Sequence, residues 1–505
     1  MSTQTPGHLI DGHLCEPAAP DGEVASRCPA DLSLALRAQP YAVSSLDAAV
    51  DAARRAARPW AALSMEARVQ HVTRFRDVLA AHVDEVARAI ALEVGKVLRE
   101  GEAEARAMLA KVDIAVGEGL ALVRDEALDG GRMGWRWRPH GVLAVIGPFN
   151  FPLHLAHGHV VPALLAGNAV VFKPSEVTPA CGALYARLAQ LAALPPGVLN
   201  VVHGEATVGA RLSSHPGVDG VLFTGSYAVG RRILEANAAE PGRMIALELG
   251  GVNHAVVLAD APFEKAVADV ALSAFLTSGQ RCTCASRVVV ERAIADRFVE
   301  ALATVAREVR VGHPLDGSAF MGPLASEAAL RRFAAVEAMA EAEGVALVEA
   351  PREISVSWEG RDLVGCYAAP RVRRVSPRAP DRAWRDTEVF GPSVAVWVVD
   401  DLDEALAVAN GTDYGLAAGV WTASEASFER FANEVGAGSV TWNAPTAGAS
   451  SRLPFGGVKR SGNHRPAGVF SSRYCAWPMA YTKGAAALDP ATLPPGLPRE
   501  AIVKA

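Results

Sequence analysis

No stretch of the 505 residues reaches the ~18 consecutive apolar positions of a membrane-spanning helix, so no membrane partner is expected. The start, Met1 to His8, has neither a basic segment nor an apolar one, and no secretory leader is read there. Charge of one sign is not in excess. The 49 basic and 55 acidic residues leave −6, spread along the chain, which argues against nucleic acid or a membrane surface as a partner. The seven cysteines, at 15, 28, 181, 282, 284, 366 and 475, are odd in number and scattered. They form no disulfide framework and fit a reducing, cytoplasmic setting. Cys282 and Cys284 make a C-x-C, but no second pair or clustered histidine completes a zinc site, so no metal is expected. The chain has no G-x-G-x-x-G, internal repeat or low-complexity tract, and pattern alone names no cofactor.

Half of the residues are apolar, enough for large cores, and the length fits two or three domains. Residues 1 to about 45 read as irregular, with one short strand at His8 to Ile10. Helices follow at Leu46–Ala57, capped by Ser45, at Met65 to about Val94, capped by Ser64 and closed by Gly95, and from Val97 to about Val123. These read as scaffold. Gly134 to Arg138 alternates apolar and charged residues, as a half-exposed strand does. From Val142 to Leu249, wholly apolar strands alternate with helices. That is the pattern of a parallel sheet covered on both faces, which binds ligands at the carboxyl ends of its strands. A second α/β run starts at Ala255 and extends to about residue 445, and a tail follows.

The candidate chemistry lies where these strands end. Cys282 sits in a loop after the helix that Gly279 breaks, where a thiol can meet a substrate; buried free cysteine is otherwise a small hydrophobe. Glu248 ends a buried strand before Gly250-Gly251. It reads either as a general base with a pKa raised by desolvation, or as a carboxylate turned outward. Asn150, between Pro148 and Pro152, reads either as an oxyanion donor or as a turn residue. Lys173 and Glu176 follow a strand and could bracket a ribose. The segment Phe223, Gly225, Ser226, running into the helix that holds Gly230, could face a phosphate; both are otherwise ordinary strand-to-helix turns. Glu388 and Phe390 precede a turn, where Phe390 could equally be core.

Seven segments resemble the aldehyde dehydrogenase superfamily in order and spacing. They are Gly147 to Pro152, Lys173 to Glu176, Phe223 to Ser226, Glu248 to Gly251, Gly279 to Cys282, Glu388 to Pro392 and Pro454 to Gly457. The resemblance covers nearly the whole chain and is weakest over the first 45 residues. It implies an α/β fold of two domains with parallel-rich sheets plus a small oligomerisation element. Residues 1–120 and 141–250 would bind NAD in a Rossmann-like domain, 251–445 would form the catalytic domain, and 121–140 with 446–505 would supply the oligomerisation strand and C-terminal tail of a homodimer or homotetramer. It also implies roles. Cys282 attacks an aldehyde, Asn150 and the Cys282 N–H hold the oxyanion, hydride passes to the nicotinamide, and Glu248 activates the water that hydrolyses the thioester. Lys173 and Glu176 would clamp the adenosine ribose, Glu388 the nicotinamide ribose, and Phe390 would pack on the ring. The Glu176 carboxylate would repel a 2′-phosphate and so favours NAD over NADP.

Within the superfamily, His154-Leu155, Gly158 to Asn168, Gly279 to Ala285, Ser461 to Pro466 and Tyr474 to Ala480 resemble the succinylglutamic semialdehyde dehydrogenase group of arginine catabolism. Its substrate is anionic, and Arg281, Arg452, His464 and Arg465 are the candidate cations, each otherwise a solvated or structural charge. Trp442 to Gly448, Lys459-Arg460 and Val252 to His254 depart from the group's pattern, which leaves another aldehyde as the alternative substrate. A non-redox thioester hydrolase or a structural protein on the same scaffold is the remaining alternative.

Overall fold

The computed structural model describes residues 6–349, 351–376 and 382–503; the first five residues, on which part of the leader reading rests, lie outside them. Two seven-stranded sheets organise the chain. The first runs in the order Met244–Glu248, Gly220–Thr224, Val142–Ile146, Ala169–Lys173, Leu199–Val201, His8–Ile10, His13–Cys15. Its first five strands are parallel, and the N-terminal hairpin closes the edge antiparallel.

The period-two alternation of a strand explains why these sequences are apolar throughout. Val142, Ala144 and Ile146 face one core with Leu46, Ala49, Val50 and Ala53 of the helix Val43–Ala62. Leu143 and Val145 face the other core, with residues from helices Met65–Ala81, Val83–Val94, Leu98–Ile114 and His154–Ala166.

The second sheet runs Ala346–Leu347, Arg371–Arg374, Ser393–Val399, Ala285–Glu291, Asn253–Val257, Ala417–Trp421, Ser439–Trp442, parallel except at Ala346–Leu347. A third sheet pairs Ala476–Thr482 and Glu126–Leu128 antiparallel on either side of Met133–Pro139, with Trp135, Met133, Leu128 and Trp477 exposed. No helix among the described residues is long and apolar enough to cross a membrane, and none of their His, Cys, Asp and Glu side chains cluster to hold a metal.

Several boundaries differ from the sequence reading. The segment read as irregular contains a hairpin, Gly22–Cys28 with Asp31–Tyr41. Its Ala, Arg and Pro content hides the strands, which are fixed by contacts far along the chain, such as Cys366 N–H to the Pro29 carbonyl. The helix expected from Met65 to Val94 breaks at His82, whose ψ of 21° ends one helix and starts the next. Ser64 caps as expected and Gly95 closes in the left-handed region, but Ser45 lies inside the first helix, which starts at Val43. The helix expected to run to about Val123 reaches residue 121, widening from α to π geometry over Ala115–Gly119 on the way.

The tail does more than extend the third sheet. Gly462 bridges Glu248, the Leu249 N–H donates to the Ser461 carbonyl, and Asn463 accepts from Leu247 N–H and donates to the Ile245 carbonyl. Residues 461–463 therefore cover the edge of the first sheet at the strand that carries Glu248.

Candidate active site

Cys282 follows a loop of unusual backbone. The helix Phe263–Phe275 ends, and Thr277, Ser278 and Gly279 take successive φ values of 55°, 54° and 73°. Only glycine adopts that region freely; each of the other two costs about 1–3 kcal/mol and persists where its surroundings over-determine it. The clamp comes from Glu100, whose Oε1 accepts from Thr277 N–H at 3.0 Å, Thr277 Oγ1 at 3.0 Å and Arg281 at 2.9 Å. Ser278 Oγ donates to the Gly322 carbonyl. Beyond the thiol, Asn253 Nδ2 donates to the carbonyls of Cys282 at 2.7 Å and Cys284 at 2.9 Å. At Gly279 a Cβ would lie 2.1 Å from the Gly391 carbonyl oxygen, so the loop also needs a residue without a side chain there.

The Asn150 amide, almost fully buried, donates to the Gln280 carbonyl at 2.8 Å, which ties the turn after Val142–Ile146 to the cysteine loop. Glu248 is 5 % exposed and no hydrogen bond of ordinary geometry reaches either carboxylate oxygen. Burial pushes its pKa well above the usual carboxylate range, with the Ala467 N–H and the Lys111 ammonium pulling the other way. Burial also pushes the Cys282 thiol up, and the carboxylates of Glu248 and Glu388 add to the effect. Without a ligand the sulfur is therefore a thiol, not the partly ionised nucleophile of a free cysteine, and forming the thiolate requires a base or a cation beside it.

Two chambers meet at these residues. The larger, about 660 Å³, is lined by Lys173, Ser175 and Glu176, by Phe223, Gly225 and Ser226, by Glu388 and Phe390, and by Asn150, Glu248 and Cys282. The smaller, about 80 Å³, shares Leu155, Thr224, Glu248, Leu249 and Cys282 with it and continues to Lys111, His154, His159, Ser450 and Ser451. Sulfur and carboxylate thus stand at the waist between two spaces.

The larger chamber fits a dinucleotide on several counts. Its volume lies within the range of about 300–1,000 Å³ usual for ligand sites. The buried Lys173 ammonium is held by Glu176 at 3.1 Å and the Pro174 carbonyl at 3.0 Å, which leaves a half-exposed carboxylate to accept from hydroxyls. The helix Tyr227–Ala236 points its N-terminus at the chamber, capped by Ser226 accepting from Val229 N–H. Glu388 accepts from Gly251 N–H at 3.0 Å, and burial raises its pKa. Phe390 meets Phe149 edge to face. Gly230 does not line the chamber; it lets the helix pack on Leu249, whose Cδ2 would be 2.6 Å from a Cβ.

The four cations expected for an anionic substrate stand elsewhere, and none lines either chamber. The Arg281 guanidinium is committed to Glu100, Thr277 Oγ1 and the Ala447 carbonyl, in the clamp under the cysteine loop. Arg452 pairs with Glu118 at 2.5 Å. His464 and Arg465 are exposed on the turn beyond Asn463. Lys459, which departs from the group's pattern, holds the carbonyls of Asn410 and Thr412, away from both chambers.

The helix Leu98–Ile114 reads in the sequence as scaffold, yet it supplies three of the site's supports. Its residues 100, 104, 108 and 111 fall on one face. Glu100 clamps the cysteine loop. Glu104 accepts from Leu153 and His154 N–H at the start of the next helix, while pairing with buried Lys96 at 2.7 Å. Lys111 reaches the small chamber. The signal was present: ionisable residues at helical spacing on the same face as Met108 and Val112, where an amphipathic scaffold helix keeps apolar ones.

Residues 17–476 match the aldehyde dehydrogenase family. The chain is 43% identical over 440 residues to N-succinylglutamate 5-semialdehyde dehydrogenase 1 of Caulobacter vibrioides, covering 86% of this chain and 91% of that relative. Among solved structures, a putative aldehyde dehydrogenase from Burkholderia cenocepacia superposes with a TM-score of 0.89 at 32% identity, covering 98% of this chain and 99% of that one. A mutant of aldehyde dehydrogenase C from Pseudomonas syringae, in complex with NAD+ and octanal, gives 0.89 at 32% identity, over 96% of this chain and 98% of that one. The chain belongs to the aldehyde dehydrogenase family and is an oxidoreductase that acts on aldehydes with a nicotinamide cofactor.

Proposed function

We propose that the protein oxidises N-succinyl-L-glutamate 5-semialdehyde to N-succinyl-L-glutamate with NAD. The observation that carries the chemistry is that Cys282 and Glu248 line both chambers at their waist, while Asn150, lining the larger one, donates to the Gln280 carbonyl two residues before the thiol. Cys282 sulfur adds to the aldehyde carbon, and its proton passes to a base; Glu248, with its raised affinity for protons and no hydrogen bond of ordinary geometry to satisfy it, is that base. Asn150 Nδ2 turns from the Gln280 carbonyl to the oxyanion of the thiohemiacetal, joined by the Cys282 N–H. The chemistry supplied by a bound nicotinamide is acceptance of the hydride that leaves that carbon. Glu248 releases the thiol's proton to solvent, then takes a proton from water as its oxygen attacks the thioester and passes it to the departing sulfur, which restores the thiol as the acid product leaves and ionises to the carboxylate.

Lys173, Glu176, Phe223, Gly225, Ser226, Glu388 and Phe390 would hold the cofactor along the large chamber. The Glu176 carboxylate at the ribose end supports NAD over NADP. Support for the substrate comes from the Caulobacter relative and from the Ser461 to Asn463 turn, which here holds the Glu248 strand in place. The exposed aromatic and apolar face of the three-stranded sheet supports a homodimer or homotetramer built through it.

The test is a spectrophotometric assay for reduced nicotinamide with both cofactors and a panel of aldehydes that includes N-succinyl-L-glutamate 5-semialdehyde. The reading requires the highest kcat/KM for that compound with NAD. A higher value for an uncharged aldehyde rejects the substrate, and no reduced nicotinamide with any aldehyde rejects the enzyme.

A further inference from the structure

Beyond the waist the small chamber narrows to a pocket of about 10 Å³ lined by Lys111, Gly158, Ser451, Ser472 and apolar neighbours. Lys111 lines both spaces. Among the described residues its Nζ has no hydrogen-bond or ion-pair partner; its charge is felt only at a distance, by Glu248 and Glu104 and by the histidines at 154, 157 and 159. Those histidines carry no charge to compete with it. Burial drives His154 well below its ordinary pKa and His157 and His159 down to about 3, with Lys111 adding to each. Burial brings Lys111 itself down to about 8, with Glu248 and Glu104 pulling the other way, so the ammonium remains mostly protonated at neutral pH.

Lys111 is therefore the one formal cation among the described residues lining the two spaces, facing the side of Cys282 away from the cofactor chamber. The surroundings make room for it: a Cβ on Gly158 would lie 2.3 Å from Lys111 Nζ. The residue is partly buried and its ammonium has no protein partner among the described residues, so an anion reaching it gains a charge-assisted contact that nothing else in the pocket competes for. The Ser451 and Ser472 side chains on the pocket wall offer hydroxyl donors beside it.

We propose that Lys111 binds a carboxylate of the substrate and makes the inner chamber selective for aldehydes that carry a carboxylate remote from the reacting carbonyl. This rests on the semialdehyde reading above and assigns its anion site to a residue on the helix Leu98–Ile114 rather than to any of the four arginine and histidine candidates.

The experiment compares glutaric semialdehyde with pentanal, equal in chain length and differing in the carboxylate, in the NAD-saturated wild-type enzyme, in Lys111→Met and in Lys111→Gln. Loss of one charge-assisted contact corresponds to about 10- to 100-fold. The expected result is a fall of that size in the ratio of kcat/KM for the anionic over the neutral aldehyde, carried by KM, in both variants. Glutarate should also compete with pentanal in the wild-type enzyme more tightly than pentanoate does, a readout that needs no folded variant. A wild-type preference for glutaric semialdehyde that survives both substitutions overturns the assignment to Lys111 and leaves the substrate reading standing. Equal losses on both aldehydes also overturn it, since they assign Lys111 to Glu248 or to folding. A wild-type enzyme with no preference for the anionic aldehyde sinks the substrate reading itself.

Discussion

Glu100→Ala should cripple an enzyme whose chemical groups are all intact. Glu100 touches neither chamber, yet one of its oxygens holds Thr277 N–H, Thr277 Oγ1 and Arg281. Both partners of the Glu100–Arg281 pair are largely buried, at 7% and 18% side-chain exposure, and removing one partner of such a pair costs about 3–5 kcal/mol. Arg281 keeps Thr277 Oγ1 and the Ala447 carbonyl, so the loss should be nearer about 2–4 kcal/mol. The left-handed Thr277 and Ser278 store about 1–3 kcal/mol each, a comparable sum. With the clamp gone the loop can release that strain and carry Cys282 off its position. Each 1.4 kcal/mol of the shift is about tenfold in the population of competent loop. The expected outcome is a kcat at least about tenfold lower and a lower midpoint of thermal unfolding, with NAD affinity close to that of the wild-type protein. The Cys282 alkylation rate by iodoacetamide should change as well, because the sulfur leaves its enclosed waist. Glu100→Gln, which can still accept from Thr277, should recover part of both losses. Wild-type kcat and alkylation rate in Glu100→Ala would show that the loop holds its geometry unaided and would refute the clamp.

Cys282→Ala should abolish formation of reduced nicotinamide while NAD still binds, measured by titrating intrinsic fluorescence; turnover near the wild-type rate would remove the thiol from the mechanism. Asn150→Ala should lower kcat by about 10²–10³ with little change in KM, read from steady-state kinetics. Glu248→Gln removes the base from both thiol addition and thioester hydrolysis, so rapid mixing should show a slower first turnover of reduced nicotinamide as well as a slower steady state; a first turnover at the wild-type rate would remove Glu248 from thiol activation. The same variant tests the raised Glu248 pKa through stability. A carboxyl whose folded pKa lies above its unfolded value of 4.5 binds the proton more tightly when folded, so wild-type stability falls as pH rises from 4.5 through the folded pKa. Glu248→Gln carries no such charge, so its unfolding midpoint relative to wild type should improve across that window and level off above it. A constant difference at all pH values would show that Glu248 is not desolvated in the folded protein.

Local pattern was enough to place the elements that bear the chemistry. Unbroken apolar strands ending in Glu248, in Lys173 and in the turn at Asn150 announced a two-sided parallel sheet and its ligand-binding edge, because burial of both faces leaves polar residues only where the strands stop. The hairpin Gly22–Cys28 with Asp31–Tyr41 was not legible, since it is set by partners hundreds of residues away, and neither was the break at His82, where no proline or glycine marks it.

The amino-acid sequence on its own determined that Cys282 lies in a loop, that Glu248 ends a buried strand and which family motifs surround them, because these depend on residue type and spacing along the chain. Tertiary structure alone decided which charges face the reacting sulfur. Arg281 went beneath the loop, Arg452, His464 and Arg465 stayed outside the chambers, and Lys111 entered from a helix that looked inert. A charge is costly to bury unless a partner meets it, and where partners meet is a property of how segments distant in sequence pack together.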